Sequence, residues 1–89
     1  MWLPSQLPEV ESAIRRSIGG VYASLGQQER AEIQLREALR LSRIAYRPDD
    51  PRVNESMLTL ANHLRQLGKS GEAEALMRDV LAVREKTAG

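Results

Sequence analysis

The chain is a unit written twice. Tyr22 to Leu39 reads YASLGQQERAEIQLREAL, and forty-two residues later Leu64 to Leu81 reads LRQLGKSGEAEALMRDVL. Leu25-Gly26 falls on Leu67-Gly68, Ala31-Glu32 on Ala73-Glu74, Arg36 on Arg78 and Leu39 on Leu81. A repeat restricts the fold more than composition does, because each copy leaves an apolar face that only a neighbouring copy buries. In both copies one helical pattern runs into Leu-Gly and a second follows, so the unit is a helical hairpin.

The local signals place four helices. Pro8 suits a first helical position, and Glu9 and Glu11 suit the first turn. Val10, Ile14, Ile18, Val21, Tyr22 and Leu25 recur at helical spacing and set helix 1 over about 8–25. Gly19 and Gly20 interrupt it, each at about 1 kcal/mol relative to Ala. A close-approaching backbone at a helix crossing would offset that cost, and Gly26 ends the helix.

Helix 2, about 28–45, carries two apolar faces. Ala31, Leu35, Ala38, Leu39, Ser42, Ala45 and Tyr46 form one; Ile33, Leu41 and Ile44 form a weaker second. A helix of this kind needs two neighbours. The turn 47–50 follows, with Pro48 as a breaker, Asp50 as an N-cap and Pro51 in the first turn of helix 3. Helix 3, about 51–67, buries Val53, Met57, Leu60, Ala61, Leu64 and Leu67, and Gly68 ends it. Helix 4 covers about 70–86, with Ser70 as its cap and an apolar set of Ala73, Leu76, Met77, Val80, Leu81 and Val83. The units are therefore 8–46 and 51–86, flanked by tails at 1–7 and 87–89. Within the first tail, Trp2 either frays or folds back over the outer end of helix 1.

Eighty-nine residues allow one small domain with a thin core. Formal net charge is +1, from 13 basic and 12 acidic residues, so no global field draws the chain to nucleic acid or membrane. There is no Cys, hence no disulfide framework and no thiolate zinc site, which fits a cytoplasmic protein. No apolar run approaches the ~20 residues of a membrane span, and the first residues do not read as a secretory signal.

Small residues at fixed places in four short-looped helices resemble the tetratricopeptide repeat (TPR). The matching residues are Ile18-Gly19, Tyr22, Ala31, Leu35 and Ala38 in the first unit. In the second they are Leu60-Ala61, Leu64, Ala73, Met77 and Val80. The forty-two-residue spacing and the RPDDPRV turn look like the kinesin-light-chain-like subtype, which is also frequent in bacterial signalling proteins. The resemblance implies an all-α fold of two stacked antiparallel helix-turn-helix hairpins in a short right-handed α-solenoid. It also implies a protein-interaction scaffold whose first helices line a concave, peptide-binding side.

No catalytic, cofactor or metal motif is present. His63 is the single histidine and sits at the edge of the helix 3 stripe, a seam position. Glu72 and Glu74 lie two apart and point apart, so they form no carboxylate pair. The chain therefore reads as a non-enzyme without cofactors. The outward residues of helix 3, Glu55, Leu58, Asn62, Arg65 and Gln66, with Ser12, Arg16, Ala23 and Ser24 on helix 1, are candidates for holding a protein or peptide ligand. Met77, Leu81 and Val83 are candidates for self-association, as a symmetric homodimer or as continuation of a longer repeat array. A third reading uses the stripe Arg36, Arg40, Arg43 and Arg47 to bind anions or nucleic acid; the balanced charge and lack of stacking aromatics argue against it.

Overall fold

The structure, a computed structural model, describes residues 7–88. Within them it builds four helices: α1 (Pro8–Ser24), α2 (Gln28–Ala45), α3 (Pro51–Gln66) and α4 (Ser70–Ala88). The remaining described residues are turns and caps, and no strand occurs among them. Each helix packs on the next in chain order, α1 on α2, α2 on α3 and α3 on α4. Two helical hairpins thus meet through α2 and α3. The Cα envelope measures 42 × 32 × 15 Å, and its short dimension holds two helical layers at the usual 8–10 Å spacing. Every residue is therefore close to a surface.

Both hairpins close with the same hydrogen bonds. Gly26 (φ 75°) and Gly68 (φ 83°) take the left-handed conformation that other residues resist. Gly26 N–H donates to Ala23 O and Gln27 N–H to Tyr22 O; Gly68 N–H donates to Arg65 O and Lys69 N–H to Leu64 O. This paired pattern is a Schellman turn, and it satisfies carbonyls that the helix end would leave bare. Helix α4 begins one residue earlier than a Ser70 cap requires: Ser70 is itself helical, and Lys69 O accepts from Ala73 N–H. At its far end α4 runs through Thr87 to Ala88, past the expected stop at Lys86. There the Thr87 hydroxyl bonds back to Val83 O and Arg84 O.

The junction between hairpins is clamped by Asp50. Its carboxylate accepts from Arg52 N–H at 2.8 Å, the N-cap bond, and from Arg52 Nε at 2.9 Å and Nη2 at 2.8 Å. The same guanidinium stacks on Tyr46, 3.8 Å from the ring centroid. One arginine thereby joins the end of α2 to the start of α3. Its side-chain hydrogen bonds, then the backbone one, hold the Asp50 carboxyl well below its usual value, at about 2.

The core is Leu35 and Leu39 from α2, Val53, Met57, Leu60 and Leu64 from α3, and Ala73 and Val80 from α4. Each large side chain of this set contributes about 1.5–3 kcal/mol by leaving water. Helix α1 departs from the expected pattern. Its buried residues are Ser12 and Gly19, whereas Ile14, Ile18, Val21 and Leu25 are exposed. Small residues, Ser12 and Gly19, make the buried part of the α1 face against α2, with Arg15 bonded to Gln34 beside them, and Ile14, Ile18 and Val21 stay open. In α2, Leu41 is buried but Ile33 and Ile44 are exposed, so the second apolar face is covered only in part. The reading of Trp2 concerns residues outside those described.

Packing separates two glycines that look alike. A Cβ on Gly19 would lie 2.8 Å from Leu35 Cδ2 and 3.4 Å from Ala31 O, so the close-approach expectation holds there. A Cβ on Gly20 would meet nothing within 4 Å, and the expectation fails. Gly20→Ala should raise the free energy of unfolding by about 1 kcal/mol. Gly19→Ala should fall below Gly20→Ala by about 1–3 kcal/mol, because Leu35 must shift in a packed core. Urea melts of the two variants check the pair. A second expectation follows from Asp50. Its folded pKa is lowered, so its contribution is full above about pH 4 and is lost as pH falls through about 2. The difference in Tm between wild type and Asp50→Ala, measured by circular dichroism across pH, should be constant near neutrality and close over that acid window.

Candidate functional site

Helix α3 is held from both sides. Its inward stripe, Val53, Met57, Leu60 and Leu64, is spent on the core, and the remaining 3.6-residue positions face outward. Glu55, Asn62, Arg65 and Gln66 are exposed, while Leu58 is half-buried against the core. An open groove runs between α3 and α4. Ala61 and Ala73, both buried, let it sink between the helices. Asn62 and Arg65 line one side; Met77, Arg78 and Leu81 line the other. Arg65 Nη2 donates to Asn62 Oδ1 at 3.4 Å. A second hollow on the same hairpin is lined by Glu55 and Leu58 together with Val83 and Arg84.

The structure therefore merges two sets of residues that the sequence treats as separate. Asn62 and Arg65, read as ligand contacts, share a groove with Met77 and Leu81, read as self-association contacts. Glu55 and Leu58 similarly share a hollow with Val83. Gln66 lines neither of them. Arg16 pairs its guanidinium with Glu55 at 3.2 Å, which ties α1 to α3. Ser12 does not face outward. It is buried and donates its hydroxyl to Ala38 O at 2.8 Å. Ala23 is half-buried, and Ser24 is exposed with its hydroxyl bonded to Gly20 O.

His63 is buried where the hairpins meet, with Nε2 3.0 Å from the Gln28 carbonyl oxygen. A carbonyl only accepts, so Nε2 carries the proton and donates. Among the described residues no three His, Cys, Asp or Glu side chains gather as a metal site would need. No described helix is long and apolar enough to cross a membrane.

A single acid organises the polar side of the seam. Glu32 accepts from Lys69 Nζ at 2.9 Å and from Arg36 Nε at 2.8 Å, and Arg36 Nη2 reaches Glu72 at 2.7 Å. The Lys69 bond, then the Arg36 bond, pulls the Glu32 carboxyl below its ordinary range; Glu72 and Glu32 push Arg36 up. Sequence spacing does not reveal this cluster. Only Glu32 to Arg36 is local; the other partners lie more than thirty positions away.

Most of the arginine stripe is paired within the chain. Arg36 is shared by two glutamates, Arg40 pairs with Glu37, and Arg47 lies 3.7 Å from Asp49. Arg43 points Nη2 at the Met57 sulfur, 3.6 Å away. Three of the four charges are thus answered within the chain.

Against these helices and this spacing, a family model described as tetratricopeptide repeat matches residues 9–86. The chain belongs to the tetratricopeptide-repeat family. Searches of curated proteins and of solved structures return no match. TPR hairpins are in general protein-interaction modules, typically without enzymatic activity of their own. In this TPR chain the paired arginines leave little for phosphate. Titration with random oligonucleotides at low and moderate salt should show no saturable binding; tight binding that weakens steeply with salt would restore the stripe as a site.

Proposed function

We propose that this TPR chain is a non-enzymatic, cytoplasmic interaction scaffold that holds a partner helix or peptide in the α3–α4 groove. The observation that supports this most is the mixed lining of that groove. Ala61, Ala73, Met77 and Leu81 offer an apolar floor, and Asn62, Arg65 and Arg78 stand along it. An amphipathic helix would lay apolar side chains at i, i+3 and i+4 on the floor. Its flanking carboxylates would meet Arg65 or Arg78, where a planar guanidinium takes two oxygens at once. The Asn62 side-chain amide supplies a further hydrogen-bonding group. Glu55, Leu58 and Val83 extend the surface along the same hairpin.

The test is selection of binders from a displayed peptide library by the intact chain. Selected peptides should be amphipathic with acidic flanks. Their affinity should fall about tenfold or more when Asn62 and Arg65 are both replaced by Ala, the loss expected of charge-assisted contacts at a groove edge. Selected peptides indifferent to that double substitution and to Met77→Glu would overturn the proposal.

A further inference from the structure

The repeat carries its own measure of which surfaces are built to be covered. Ile14, Ile18 and Val21 of α1 hold the positions of Ser56, Leu60 and His63 of α3. In α3 those three are buried beside α2: Leu60 lies in the core with Leu35 and Leu39, and His63 donates to Gln28 O. In α1 the same positions are open. Ile18 is 39% exposed against 2% for Leu60, and Val21 59% against 4% for His63. The other end of the molecule shows the complement. Met77 and Leu81 of α4 hold the positions of Leu35 and Leu39, and Leu81 is 52% exposed against 5% for Leu39.

The two open ends are therefore the two halves of the seam that the chain already makes once. Gly19, Ala31, Leu35 and Leu39 form the surface beside which α3 lies. Their forty-two-residue counterparts, Ala61, Ala73, Met77 and Leu81, are the floor of the open α3–α4 groove. The face that would enter it, Ile14, Ile18 and Val21, is wholly apolar, whereas the α3 face includes Ser56 and His63. These three side chains bring no polar group into the groove. Translation also replaces the ion pair Arg16–Glu55 by Leu58 against Ala13, again apolar. Translation also sets Arg30 where Glu72 stands, beside Glu74 and Arg78, the counterparts of Glu32 and Arg36, and sets Glu11 and Arg15, an ion pair, where buried Val53 and Met57 stand.

We propose that a second copy of this chain docks head to tail, with the outer face of its α1 in the α3–α4 groove of the first. This rests on the groove reading above and names the helix that the groove takes. The contact joins two different surfaces, so each docked copy keeps one free end and the assembly is an open stack rather than a closed dimer.

The experiment is complementation in sedimentation velocity, using full-length Ile18→Glu and Leu81→Glu variants. Both positions are exposed, so helicity by circular dichroism should match wild type; Val21→Glu and Met77→Glu serve if either variant fails that check. Wild type should sediment faster with rising concentration. Each variant alone should stay monomeric. Their equimolar mixture should form a one-to-one dimer and nothing larger, because one variant keeps the groove and the other keeps α1. Three results would overturn the proposal: a monomeric wild type, a mixture that stays monomeric, or a single variant that still associates alone, which would mark a symmetric contact. If the stack fails while selected peptides still bind the groove, the scaffold reading stands and only the second copy falls.

Discussion

The rest of the structure depends on the burial of α3 against α2. Leu35 and Leu39 meet Leu60 and Leu64 there, and all four are almost wholly removed from water. Neither hairpin has a core deep enough to stand alone in a slab this thin. Hairpin one is the poorer, since α1 buries a serine and a glycine and little else. Sharing α2 between two neighbours gives that hairpin a core it does not contain. The polar contacts along the same line, His63 to Gln28, Arg16 to Glu55, and Glu32 with Lys69, are mostly solvent-facing and individually modest. Their effect is to set register: each bridges one particular pair of positions across the seam.

Small residues decide how close the helices come. Gly19 lets Leu35 pass where a methyl group would collide, and Ala31, Ala38, Ala61 and Ala73 are all buried. Close approach within hairpins, and large side chains between them, explain why one spacing serves twice. They also explain the polarity of the molecule. One end shows the apolar stripe of α1 and the other the small-residue groove of the α3–α4 hairpin. On the two proposals above, ligand capture and stacking use a single surface, so occupancy by one excludes the other.

Much of the fold was legible because its signals are local. Gly26 and Gly68 mark the turns since only they accept positive φ cheaply, and Asp50-Pro51 starts α3 through a bond that spans two residues. The boundaries of α2 and the core stripe of α3 followed from spacing alone. The errors have a common origin. Periodicity says that Ile14, Ile18 and Val21 share a face, but not whether any neighbour lies on that face. Gly19 and Gly20 are adjacent and identical, yet only one touches Leu35. Arg16 reads as a free cation until Glu55, thirty-nine positions later, is found beside it. The candidate groove is half legible: helical spacing turns Asn62 and Arg65 outward, but their sharing of a groove with Met77 and Leu81 needs the crossing of two helices.

The sequence by itself determined the helical hairpin, its repetition, the turn chemistry and the residues able to form a core, because each depends on contacts within a few positions or on self-similarity. The tertiary structure alone decided which apolar faces are covered, which arginines are neutralised and which side chains line one groove. Those outcomes depend on how two helices cross, and a helix carries its facing pattern in its sequence but not the identity of what lies opposite.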